Sequence, residues 1–313
     1  MIVRTLLLTV FAAGLLSARA LTIIPTFDAT ITNDVNATTI ENTINSTIQL
    51  YQARFSNPAT VTIQFKEITN SGLYGSSSWW SYNLSYSSFH TALAQHATTA
   101  NDTIAMSSLP AGSTNPVTGT TTVRVKTANL HALGFAGFNS GLSGGYDGII
   151  GLHTSQLNLS RASTVSTKGD LLSTVCHEMD EVLGLGCGLD FGSPDPFPQD
   201  LFRFSSTGAH SYTTNGDDAW FSIDGTNVLV RCNQNSTLDY GDWWVAGAHT
   251  PRVQDASATN GKTPNPNVEL IGLDVIGYTL VPMPARSSRG QPLPARRSRS
   301  PAPTALPSPT TSF

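Results

Sequence analysis

DLLSTVCHEMDEVLGLGC, residues 170–187, is the stretch whose periodicity decides the fold. Leu171, Leu172, Val175, Met179, Val182 and Leu183 recur at three- and four-residue steps, which makes one helix face apolar. Thr167 followed by Asp170 approximates a capping box and Gly184 supplies a stop, so the pattern predicts a helix over about 168–184. On that helix His177 and Glu181 share a face about 6 Å apart, a spacing that suits two ligands of one metal ion. Glu178 is rotated about 100° from His177 and can lean over a water without being a ligand.

Working outward, LTIIPTF reads as a strand of β-branched and aromatic residues, and Ile40, Ile44, Ile48, Leu50 and Tyr51 predict a helix over 39–55. ATVTIQF alternates as a half-buried strand over 59–65. Residues 71–80, rich in Ser, Gly and Trp, read as a loop; a short helix is expected at 87–97 and a strand at 120–127. DGIIGLHT, 147–154, is another strand, and LFRFSS, AWFSID and VLVRC are short strands in an irregular region. NVELIGLDVIGYTL, 267–280, is expected to be a terminal helix. The order of elements points to an α/β (α+β) domain over 21–281.

The chemistry-bearing helix resembles the active-site helix of the metzincin zinc endopeptidases, H-E-x-x-H-x-x-G-x-x-H, and its flanking leucines and valine look like the matrixin branch. On these residues the first ligand is His177, the general base Glu178 and the turning glycine Gly184. The second ligand position holds Glu181 and the third Cys187, and the family's downstream Met-turn has no counterpart, since the last Met, Met283, lies in the tail. The form H-E-x-D-E-V-L-G is closer still to a group of secreted metalloprotease-like proteins. The resemblance implies a mixed twisted sheet with an active-site helix, an irregular C-terminal subdomain and a terminal helix. It also implies Zn2+ as cofactor, a protein or peptide substrate, and Glu178 working on a metal-activated water. DGIIGLHT would take the edge position that binds extended peptide by strand addition. The same fold without metal would serve as a binding or structural protein, and an acidic face of Glu178, Asp180 and Glu181 could equally be solvated surface.

One neutral imidazole with a carboxylate and a thiolate brings a divalent ion's site close to zero charge, which weakens its pull on water relative to a three-histidine site. Cys187 has a second reading as the disulfide partner of Cys232, in which case Asp190, Asp195, Asp200 or His210 supplies the third ligand. Cys176 reads as a small buried apolar residue. Among the remaining histidines, His153 stands out at the end of the strand before the helix. The Trp79-Trp80 and Trp243-Trp244 pairs either line a groove or pin loops to the core.

Composition sets the frame around this motif. The 313 residues include only 12% charged side chains, about half the usual share, with Ser and Thr in their place. Residues 1–20, MIVRTLLLTVFAAGLLSARA, have the n-region, apolar stretch and Ala-x-Ala end of a secretory signal, so a secreted, extracellular protein with no membrane segment after cleavage is expected. Six sequons, at Asn36, Asn45, Asn83, Asn101, Asn158 and Asn235, permit glycosylation. Eight Pro and five Arg in residues 282–313 predict a disordered tail. Arg4 and Arg19 at one end and five Arg after residue 281 carry no acid beside them, leaving a net −11 on residues 21–281, and such a body repels nucleic acid.

Overall fold

The computed structural model describes residues 20–69, 72–214, 216, 218–247 and 249–282. The signal segment expected over 1–20 and the tail expected over 282–313 therefore lie outside the described residues, apart from Ala20 and Pro282. Strand β1 (Thr22–Phe27) leads through a one-turn helix α1 (Ala29–Thr32), N-capped by Asp28, into α2 (Ala37–Arg54). Helix α2 buries Ile40, Ile44, Ile48 and Tyr51, the spacing of a single helical face. In β2 (Thr60–Glu67), Val61, Ile63 and Phe65 are buried in strict alternation.

Strands β3 (Gly75–Trp79) and β4 (Ser81–Ser85) follow, then helices α3 (Tyr86–His96) and α4 (Ala100–Ser108), strand β5 (Thr122–Lys126) and helix α5 (Thr127–Ala132). Strand β6 (Gly148–Leu152) and the two-residue strands β7 (Leu157–Asn158) and β8 (Gly169–Asp170) lead into the central helix α6 (Leu171–Leu183). Strands β9 (Arg203–Phe204), β10 (Trp220–Phe221) and β11 (Val230–Arg231) form a small antiparallel sheet, and α7 (Val268–Val275) is the last helix. The protein is thus a mixed α/β structure, with seven α-helices and sheets of mixed orientation among the described residues. None of these helices is long and apolar enough to cross a membrane.

The main sheet runs β1-β2-β6-β3, parallel except for the antiparallel β3 at its edge. Two expectations change here. Residues 75–79 are a strand and not a loop, and β6 lies in the interior while β3 takes the edge. A nearly unbroken apolar run such as Gly-Ile-Ile-Gly-Leu suits a strand covered on both sides. Gly-Ser-Ser-Ser-Trp carries little strand propensity of its own, and its pairing comes from β6 beside it and α6 packed against it.

The cap of α6 also differs from the sequence reading. Asp170 is itself the N-cap, accepting from the backbone N–H of Ser173 at 3.0 Å, and Arg161 pairs with the same carboxylate. At the other end Gly184 takes φ +148°, a left-handed region open to glycine, and closes the helix. The buried ammonium of Lys126 donates to the helix-end carbonyls of Glu181 at 2.7 Å and Leu185 at 2.5 Å while sitting 4.0 Å from the Trp79 ring centre. Tyr51 ties α2 to α6 by donating to Asp180 Oδ1 at 2.7 Å. These contacts hold α6 rigidly beneath the sheet edge.

Candidate functional site

Helix α6 aims His177 and Glu181 toward one spot, and a residue from far along the chain joins them there. Atoms of His177, Glu181 and Asp242 lie within 4.8 Å of one another, a group that could hold a metal ion. His177 Nε2 is 3.7 Å from Glu181 Oε1 and 3.8 Å from Asp242 Oδ2. Its other ring nitrogen, Nδ1, is 3.0 Å from the Val253 carbonyl, the kind of outer contact that turns Nε2 inward as a ligand atom. Glu181 Oε2 accepts from Ser77 of the edge strand at 2.5 Å.

Asp242 was not among the sequence candidates. Its neighbour Trp243 is fully buried and donates from Nε1 to Glu269 of α7 at 2.8 Å, so the ring anchors the segment that presents Asp242. The Gly-Asp-Trp-Trp stretch was the available signal, since a buried Trp fixes the residue beside it. Cys187, the expected third ligand, does not join the group. Its thiol is buried against the Asp200 carboxylate, and Cys176, Cys187 and Cys232 are all free. The other candidates are held elsewhere. Asp190 accepts from the Tyr240 N–H, Asp195 from Asn83 and Thr120, Asp200 from two backbone N–H groups, and His210 stacks on Phe204. His153 is buried but also outside the group.

Glu178 is 5% exposed and lies beneath the edge strand. A Cβ on Gly75 would come within 2.4 Å of its Oε1 and 2.8 Å of Thr174 Cγ2. Gly75→Ala is therefore expected to cost about 1–3 kcal/mol through overpacking. Thermal melts of the two proteins check this, and an unchanged melting temperature would show that the strand yields freely. Asp180 is fully buried as well, so the acidic triplet on this helix is not a solvated face.

The site is rich in carboxyl groups. Burial pushes the Glu178 carboxyl well above the usual range, with Glu181 and Asp242 adding to the shift and His177 opposing it. Asp242 is pushed up to about 8 by burial. Burial disfavours the His177 imidazolium, but Asp242, Glu178 and Glu181 outweigh it and raise the group to about 10. A cation among these groups favours their deprotonated forms in place of protons.

A cleft of about 350 Å³ opens beside the cluster, lined by Ser77, Ser78, Trp79, Lys126, Glu181 and Asp242 among others. Its floor includes Lys126, whose ammonium burial lowers to about 8, and Asp190, whose carboxyl burial raises to about 7. Trp79 packs edge-on against Phe191 and Phe197 at the same wall. No family model, curated protein or solved structure matches this chain.

Proposed function

We propose that the chain is a secreted, metzincin-like zinc endopeptidase that hydrolyses peptide bonds, with Glu178 as general base. The observation that carries this reading is the meeting of His177, Glu181 and Asp242, the last two of which line a cleft beside an antiparallel edge strand. One imidazole and two carboxylates fit zinc, and they fit other first-row divalent ions too. When bound, such an ion supplies Lewis-acid polarisation of water and of a carbonyl oxygen.

The chain's own residues carry the remaining roles. His177 and Glu181 bind from α6 and Asp242 from the Trp243-anchored segment. Glu178, one residue along the helix and shielded from solvent, holds and returns the proton. Among the described residues β3 has a strand partner on one side only, so its outer edge offers backbone groups to an extended peptide. With two carboxylates and a neutral imidazole around a divalent ion the net charge is near zero, and a slow or narrow enzyme follows.

Metal analysis of protein purified without added metal tests the reading. One zinc per chain, lost to chelator, is expected, and Asp242→Ala should weaken its binding at least about tenfold. Folded protein that takes up no divalent ion would sink the proposal. A second reading, a metal-free binding protein on the same fold, is favoured by one contact. The Gln254 amide nitrogen donates to Asp242 Oδ1 at 2.9 Å and lies 3.2 Å from His177 Nε2, so a side chain stands between two of the clustered residues without an ion.

A further inference from the structure

The contact that favours a metal-free site also contains an imbalance. Gln254 is 1% exposed, and while its amide nitrogen donates to Asp242 and lies 3.2 Å from His177 Nε2, its own Oε1 is buried with no hydrogen-bond partner among the described residues. A buried carbonyl oxygen without a donor is disfavoured and calls for a partner. The residue's backbone is fixed on both sides. Its N–H donates to Glu269 Oε1 at 3.1 Å and its carbonyl accepts from the Trp243 N–H at 2.7 Å. The freedom left to the side chain is to turn its amide, which exchanges the places of Nε2 and Oε1.

The position now held by Nε2 is a ligand's position. Donor atoms sharing a tetrahedral zinc at its usual bond lengths stand about 3.4 Å apart. The amide nitrogen is 3.2 Å from one proposed ligand atom and 2.9 Å from a carboxylate oxygen of another. In the metal-free protein the amide N–H that donates to Asp242 occupies a carboxylate lone pair that a cation would otherwise engage.

We propose that Gln254 is a fourth ligand of the metal site, its amide acting as a placeholder for the ion and turning to present Oε1 when the ion arrives. This rests on the reading that the cluster binds a divalent metal. Four protein donors would complete a four-coordinate site, and Gln254, the uncharged amide among them, would be the donor to give way to water or substrate.

Titration of the metal-free full chain with Zn2+ against a chromophoric chelator, and with Co2+ followed by visible absorption, tests this in wild type, Gln254→Ala, Gln254→Met and Gln254→Glu. Wild type should bind one ion. Loss of the oxygen in the Ala and Met variants should weaken Zn2+ at least about tenfold and shift the Co2+ bands, while the Glu variant restores tight binding. The Met variant keeps the shape, so it decides the matter if the Ala variant does not fold. Variants that bind with wild-type affinity and unchanged Co2+ bands would overturn the role of Gln254 and leave the metal site standing. A wild type that binds no ion would overturn both.

Discussion

Glu178→Gln is expected to lower the rate of peptide hydrolysis by about 10²–10⁴-fold while leaving metal content unchanged. The amide keeps the volume that fits beneath Gly75 but cannot take a proton, and Glu178 is not among the three clustered ligand residues. Its effect on folding separates catalysis from architecture. The wild-type carboxyl is raised by burial and by Glu181 and Asp242, so a neutral side chain removes a repulsion. The metal-free variant should therefore melt no lower than wild type at pH 8. A variant that keeps full activity would remove Glu178 from the chemistry. One that loses several degrees along with its activity would assign the residue a structural role instead.

The second large effect is on stability against pH. Burial pushes Asp190 up to about 7 and Asp242 up to about 8, and it drives Glu178 and Asp180 well above the usual range. In the unfolded chain such groups titrate near pH 4. Between about pH 4 and 8 the folded protein thus holds protons that the unfolded chain has released, and stability falls as pH rises. His177, raised to about 10, acts in the same direction above pH 6.5. Lys126, lowered to about 8 by burial, opposes the trend only above that pH. Asp224, held low by hydrogen bonds from Asn227 and Thr226, contributes stability above pH 4 that is lost in acid.

Maximal stability of the chelator-treated protein is therefore expected near pH 4–5. The melting temperature should drop by roughly 5–10 °C on going to pH 8, corresponding to about 2–4 kcal/mol. Differential scanning measurements at the two pH values check it, and a higher melting temperature at pH 8 would contradict the burial of these acids. Saturating zinc should narrow the gap, because an ion that binds only the folded state replaces the protons.

The parts of this fold that sequence makes legible are those whose pattern is local. Helix α6 announces itself through Leu171, Val175, Met179 and Val182, and β2 through Val61, Ile63 and Phe65, because their neighbours bury one face. Helix α7 is shorter than its apolar run, ending at Val275, because Gly277 takes φ +119°. Strand β3 was hidden, since three serines say nothing of the sheet that recruits them. The site divides in the same way. His177, Glu178 and Glu181 are visible as a helical constellation, whereas Asp242 and Gln254 come from loops whose positions depend on the burial of Trp243 and the carboxylate of Glu269. Cys187 misled because its spacing from Gly184 matched a pattern, while its thiol had Asp200 to meet.

Glu269 has a consequence in time. Its Oε1 receives both the Trp243 indole and the Gln254 backbone, so the fastening of the segment that carries Asp242 is completed by a residue about ninety positions after His177. Chains emerge from the ribosome at about 5–20 residues per second. For several seconds, therefore, a nascent chain exposes His177 and Glu181 while the opposite wall is still unmade. Until Glu269 has been made, a newborn molecule therefore holds only the helix half of the proposed metal site.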